Sequence, residues 1–194
     1  MTKRNQTIAD AVSDSLALRY ALSEQRFKWL LAASEKLSEA LNRGNKILIA
    51  GNGGSAADCQ HFAAEFVVRL TSDNNRRALP AIALTTDTSI LTAASNDYGF
   101  DFIFSRQVEA LGNAGDVFIG LSTSGKSKNI LEAYRVAKSR GLITFGLFGQ
   151  AGLIEPSLCD FALNVPSTTT MRIQEEHIFA LHLLAQLTES LIKP

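Results

Sequence analysis

The sequence predicts an α/β protein built on a doubly wound parallel sheet, and three observations carry that expectation. Short runs that are apolar on both faces recur along the chain, stretches of helical periodicity separate them, and two loops rich in glycine or serine follow directly on two of the runs. Strands without a polar face fit burial between two helix layers, and their alternation with helices argues parallel pairing. In such sheets ligands sit beyond the carboxyl ends of the strands. Both loops fall at such ends.

From Ile8 to Leu41 apolar residues recur at helical spacing, first Ile8, Ala11, Val12 and Leu16, then Phe27, Leu30, Leu31 and Leu37, until Gly44 stops the pattern. One long helix or two consecutive ones are predicted. The strand Lys46-Ile47-Leu48-Ile49-Ala50 runs into Gly51-Asn52-Gly53-Gly54-Ser55, and a helical pattern from Ala56 to Leu70 begins at once. Further strands are predicted over Pro80 to Leu84, Asp116 to Leu121, Leu142 to Phe148 and Asp160 to Val165. A helix over Lys128 to Ser139 follows the second loop, and another over Arg172 to Lys193 follows the polar Ser167-Thr168-Thr169-Thr170. No repeat or linker marks a second domain, so residues 1–194 are expected to form one, with 1–43 a helical extension and 44–194 the α/β core.

With 194 residues, 46% of them apolar, the chain is long enough for a full core. The 19 basic and 19 acidic side chains balance, so the basic excess that a nucleic-acid partner requires is missing. Met1 to Asp10 is mostly polar rather than a charged-then-apolar leader, and no apolar run approaches the ~18 residues of a membrane span. A cytoplasmic location without membrane association is the expectation. Cys59 and Cys159 lack the spacing of a metal knuckle or redox pair and are expected as buried free thiols.

Gly120-Leu121-Ser122-Thr123-Ser124-Gly125-Lys126-Ser127 follows a strand, precedes a helix and satisfies G-x-x-x-x-G-K-[ST]. The nucleotide reading also needs an acid at the end of an apolar strand to help hold magnesium. The strand Leu142 to Phe148 ends in Gly149-Gln150, and only Asp87 comes near that role. A loop with four hydroxyls and one internal glycine suits a single phosphate monoester at a helix N-terminus better than a triphosphate. A bland alternative is a Ser/Thr turn that only caps the helix.

On the helix after Gly54, His61 and Glu65 are four residues apart and share a face, which Arg69 continues. On the last helix Gln174 and His182 lie about 80° apart around the axis at ~3.6 residues per turn, with His177 about 60° to the other side of Gln174. Two His, one Glu and one Gln form a mixed nitrogen and oxygen set suited to a divalent ion such as zinc. The structural alternatives are an exposed His61, a Glu65–Arg69 surface pair and a His182 satisfied in the core.

Taken in order, Gly51-Asn52-Gly53-Gly54-Ser55, His61-Phe62-Ala63-Ala64-Glu65, Ser95-Asn96-Asp97-Tyr98-Gly99-Phe100, the Ser122 to Ser127 loop and Arg172-Ile173-Gln174-Glu175 resemble the sugar isomerase (SIS) domain family over essentially the whole chain. The resemblance implies a five-stranded, flavodoxin-like parallel sheet and a homotetramer with sites at subunit interfaces. It implies conversion of sedoheptulose 7-phosphate into glycero-manno-heptose 7-phosphate, feeding bacterial surface glycans such as lipopolysaccharide. Residue by residue, it assigns phosphate to Ser55, Ser122, Thr123, Ser124 and Ser127, and sugar to Asn52, Gly53, Gly54, Asn96, Asp97, Glu65 and Gln174. A zinc ion, one per subunit, falls to His61, Glu65, Gln174 and His182, and no nucleotide is implied. Lys126 stands where the family commonly carries Asn, and Met171 where an Asp is common.

An aldose–ketose conversion moves a proton between C1 and C2 through an enediol and needs a base, an acid and charge stabilisation. Glu65 and His182 are the catalytic candidates, with His182 either an acid or a metal ligand. A second branch of the same family is similar in the glycine loop and the Arg172 segment but binds the replication initiator DnaA without isomerase activity. As the resemblance has it, that branch lacks an acid and an imidazole at positions 65 and 182. This chain has both.

Overall fold

The computed structural model describes residues 2–193. Two helices, α1 (Lys3–Ala21) and α2 (Ser23–Asn42), meet at Leu22 and precede β1 (Ile47–Gly51) and α3 (Gly54–Val67). Next come β2 (Ala81–Ala83), α4 (Thr88–Tyr98), α5 (Ser105–Leu111), β3 (Val117–Ser122), α6 (Lys128–Ser139), β4 (Ile143–Phe148), β5 (Phe161–Asn164) and α7 (Thr170–Ser190). All pairings are parallel, and the strand order is β2-β1-β3-β4-β5. This is the flavodoxin-like order, whose topological switch lies between β1 and β3.

Alternation along β1 divides the core. Ile47 and Ile49 pack with α2, α3 and α7 through Trp29, Leu37, Phe62, Phe66, Leu181 and Leu184, whereas Leu48 and Ala50 face Ile130, Tyr134 and Phe104 from α6 and the α5 side. At the sheet centre Tyr134 donates its hydroxyl to the carbonyl of Phe145 at 2.6 Å. Gly120 and Gly146 leave room for that ring, since a methyl at either would approach its oxygen to 2.6 Å. The helical extension is held to α7 by Glu176, 1% exposed, which accepts from Arg19 at 3.1 Å and from Arg26. Among the described residues no helix is long and apolar enough to cross a membrane.

Two elements were not expected from the sequence. Helix α4 buries only Ala94 and so lacks an apolar stripe, and α5 spans only seven residues. Asp87, the nearest approach to a magnesium acid, is the N-cap of α4 and accepts from the Ile90 amide at 2.9 Å. Cys59 is buried and Cys159 only partly so; both are free thiols, and burial pushes the Cys159 thiol up to about 12.

Candidate active site

The ends of β1 and β3, adjacent in the sheet, open a cleft of about 320 Å³ lined by Asn52, Gly53, Gly54, Ser55, Leu121, Ser122, Thr123, Ser127, Thr170 and Gln174. Three helices begin there. The N-termini of α3, α6 and α7 have no side-chain cap, which is also true of α2 and α5 away from the cleft, whereas α1 and α4 are capped by Thr2 and Asp87. Uncapped amides at three converging helix starts favour an anion. The loop is also shaped from within. Ser122 and Ser127 join hydroxyls at 2.9 Å, Ser122 Oγ accepts from the Gly125 amide at 3.1 Å, and Ser124 Oγ accepts from the Lys126 amide at 3.2 Å. Gly125 has φ +67° and lies so close to Gly152 that a methyl would stand 1.7 Å from its carbonyl oxygen, which fixes the turn. Gly54 is less tightly bound to its identity: a methyl there would meet only the amide end of Gln174, with Nε2 at 2.6 Å, which could shift aside.

A second cluster lies farther along α3 and α7. His61 Nε2 is 2.8 Å from His182 Nε2 and 3.2 Å from Glu65 Oε1, and the three donor atoms all lie within 4.8 Å of one another. Two imidazole nitrogens at that distance either share one hydrogen or aim two lone pairs at a common cation. Tetrahedral zinc with ligand bonds of about 2.0–2.1 Å places its donors about 3.3 Å apart; the His61–Glu65 spacing matches, and the two imidazoles would part by about 0.5 Å to admit the ion. Glu65 pairs with His61 and not with Arg69, whose guanidinium instead reaches the Ser72 carbonyl at 3.3 Å. Beside the set, Asp58 has a buried Oδ2 without a partner; burial raises its carboxyl, while His61 pulls the other way.

Gln174 does not join this cluster within one chain. Eight residues separate it from His182, about 12 Å along the helix at ~1.5 Å per residue, and its side chain lies over Gly54 in the cleft. A shared angle around the axis does not bring the two side chains together when rise along it separates them. Asn96 and Asp97 also stay outside. Both are exposed, Asn96 Nδ2 donates to Asp97 Oδ1 at 2.8 Å, and Asp97 lines a groove between α4 and α5. His177 is fully buried, donating from Nε2 to the Phe148 carbonyl at 3.2 Å, and so is the core-bound histidine. Sequence reasoning missed Asn129, which is 2% exposed and pairs with Asn52. It also missed Arg76, which donates to the Glu65 carbonyl at 2.6 Å and the Phe66 carbonyl at 2.8 Å at the end of α3.

The profile of the SIS domain family matches residues 12–149. The chain is similar to a phosphoheptose isomerase of Campylobacter jejuni subsp. jejuni serotype O:6, with 58% identity over 157 residues, 81% of this chain and 83% of the relative. It is 47% identical to that of Aneurinibacillus thermoaerophilus over 190 residues, 97% of this chain and 95% of the relative. Its structure resembles that of the phosphoheptose isomerase of Neisseria gonorrhoeae with a TM-score of 0.90 and 41% identity, over 97% of this chain and 100% of that one. Likeness of this extent, on a fold that carries such a cleft and donor cluster, gives one assignment: the chain belongs to the phosphoheptose isomerase family of SIS domain proteins.

Proposed function

We propose that this chain interconverts sedoheptulose 7-phosphate and D-glycero-D-manno-heptose 7-phosphate, the entry of heptose into bacterial surface glycans. The observation that carries the reading is the pairing of an uncapped, hydroxyl-lined cleft with a Glu/His/His cluster on the same two helices. The cleft takes the phosphate through Ser55, Ser122, Thr123, Ser124 and Ser127. Glu65 acts as the base: one oxygen faces His61 and the other takes the C1 proton of the ketose, which it returns to C2 of the enediol. His182 serves the oxygens, giving a proton to O2 as the enediol forms and removing one from O1 as the aldehyde forms. A zinc ion would be held by His61, Glu65 and His182; with His182 Nε2 then a ligand, the positive charge of the metal rather than the imidazole would serve the oxyanion at C2, so the acid role of His182 belongs to the metal-free site.

The same reading extends to assembly and location. We read residues 1–194 as one domain that works in the cytoplasm as a homotetramer with sites between subunits. The separation of Gln174 from the His/Glu/His cluster supports this, since an assembly lets the cleft of one subunit face the cluster of another. Asn96 and Asp97, exposed and away from their own cleft, are assigned to sugar held by a neighbouring subunit. Supporting self-association, Ile8, Val12 and Leu16 are 65%, 55% and 53% exposed along α1.

The test is incubation with sedoheptulose 7-phosphate, following the aldose by NMR with and without a chelator. Glu65→Gln should cut kcat by about 10²–10⁴-fold while leaving sugar-phosphate binding nearly intact. A Gln variant with full turnover would sink the assignment of the base.

A further inference from the structure

Asn52 and Asn129, 77 positions apart in sequence, form a reciprocal amide pair. Asn52 Nδ2 donates to Asn129 Oδ1 at 3.0 Å, and Asn129 Nδ2 donates to Asn52 Oδ1 at 2.8 Å. Turning both amides over together leaves the same two bonds, so the pair demands one donor and one acceptor from each partner whichever way they point. Asn52 belongs to the glycine loop after β1, and Asn129 sits in the first turn of α6, just after the serine loop that follows β3. Among the described residues this is the only side-chain hydrogen bonding that joins the two loops. It lies at the β1/β3 switch point, where the two halves of the phosphate cleft meet.

The pairing changes the role of Asn52. Its amide lines the cleft, yet its oxygen and one of its N–H groups are directed at Asn129. Asn129 itself is 2% exposed and lines no part of the cleft, so it touches no ligand there. Nor does capping account for it, because Ser127 occupies the N-cap position. What remains is the spacing of the loops. The amides of Gly53 to Ser55 and the hydroxyls of Ser122 and Ser127 must face one phosphate from opposite sides, and neither loop is bolted to the other in any other way by a side chain.

We propose that Asn129 is a positioning residue which, through its amide pair with Asn52, sets the width of the phosphate cleft and thereby its affinity for the sugar phosphate. The proposal rests on reading the cleft as the phosphate site of an isomerase. An aspartate at 129 separates this role from mere occupancy of space. Ionised, it can only accept, so Asn52 Oδ1 faces a carboxylate oxygen and the second bond is lost. Protonated, the acid offers one O–H and one C=O and restores the pattern. A leucine at 129 has no such recovery.

The experiment measures binding of sedoheptulose 7-phosphate by calorimetry at pH 8 and pH 5, with every protein carrying Glu65→Gln so that the sugar is not consumed. The parent, Asn129→Asp and Asn129→Leu are compared at the same pH, which removes the titration of the phosphate itself. Loss of one such bond with its partner left buried predicts about tenfold weaker binding for Asn129→Asp at pH 8, narrowing toward the parent at pH 5. Asn129→Leu should stay weak at both. Parent-like binding in either variant at pH 8 overturns the proposal. Should the buried carboxylate prevent folding at pH 8, Asn129→Leu decides alone: about tenfold weaker binding supports the role and unchanged binding ends it. A parent that binds no sedoheptulose 7-phosphate overturns the isomerase reading and the proposal together, whereas a parent that binds as well as its Asn129 variants overturns only the proposal.

Discussion

His177 and His182 stand five residues apart on α7 and have opposite chemistry, and burial explains the difference. His182 reaches a partly open cluster where another imidazole and a carboxylate meet it. His177 points into the apolar layer beneath Phe148, where its Nε2–H finds one carbonyl and its Nδ1 finds no partner. Burial pushes this imidazole down from 6.5 to about 4, the Phe148 hydrogen bond opposing only weakly. The folded-state value lies below the unfolded one, so as pH falls through 6.5 the unfolded chain takes the proton first and stability is lost until about pH 4. At 1.36 kcal/mol per unit the full effect is about 3 kcal/mol. His177→Gln, which keeps a donor for Phe148, should therefore lose about 2–3 kcal/mol less than the wild type between pH 7.5 and pH 4.5 in urea titrations; equal losses would remove His177 from the acid response. That His61 and Glu65 share a face was legible from their four-residue spacing on one helix, whereas the approach of His182 from α7 depends on how two helices pack. Asn129 was not legible, since a lone asparagine at a helix start reads as a local cap and its partner lies 77 positions away.

Helices α3 and α7 must keep a fixed relation if their side chains are to meet, and their far ends are tied by Arg76 and Glu189. Arg76 Nε donates to Glu189 Oε1 at 2.8 Å, while its other nitrogens reach the carbonyls of Glu65, Phe66 and Arg77. A guanidinium at the C-terminus of α3 satisfies orphan carbonyls and opposes the negative end of the helix dipole. Both side chains are almost wholly buried, at 7% and 5% exposed. Removing one partner of such a pair leaves a buried charge alone and costs about 3–5 kcal/mol. Arg76→Ala should show that loss in chemical denaturation, with Arg76→Lys recovering only part of it because one ammonium cannot reach a carboxylate and three carbonyls together. A loss below about 1 kcal/mol for Arg76→Ala would mean that the helix ends are held by apolar packing instead. At this scale β1, β3, β4, α6 and α7 could be read from the sequence, since buried strands have no polar face and long helices repeat theirs. Helices α4 and α5 escaped because one buries a single alanine and the other is too short for a period to show.

Two features of the whole chain bear on the proposed assembly, the separation of cleft from cluster and an apolar row on α1. The cleft holds Gln174 and the phosphate loop, but the cluster that would act on the sugar starts seven residues into α3, at His61, about 10 Å from the cleft at ~1.5 Å per residue, and Glu65 is about 6 Å farther. An extended seven-carbon chain advances only about 1.2 Å per bond, or about 7 Å from C1 to C7. Meanwhile α1 has no buried residue, and Ile8, Val12 and Leu16 form an apolar row beside Arg172 and Glu175 that a lone subunit leaves in water. Covering such residues is worth about 1.5–3 kcal/mol each, which would favour the proposed assembly if subunits meet through this face. If subunits then share sites, two different lesions in two different chains must complement. Glu65→Gln and Gln174→Leu homomers should each be nearly inactive, the first lacking the base and the second a sugar contact beside Gly54. Co-expressed and purified through two tags as mixed oligomers, they should regain turnover well above either parent, because some interfaces then unite an intact cluster from one chain with an intact cleft from the other. Mixed oligomers as inactive as their parents would place every site within one chain and require α3 and α7 to bring Gln174 to the cluster by a rearrangement that their anchoring through Glu176 and Glu189 opposes.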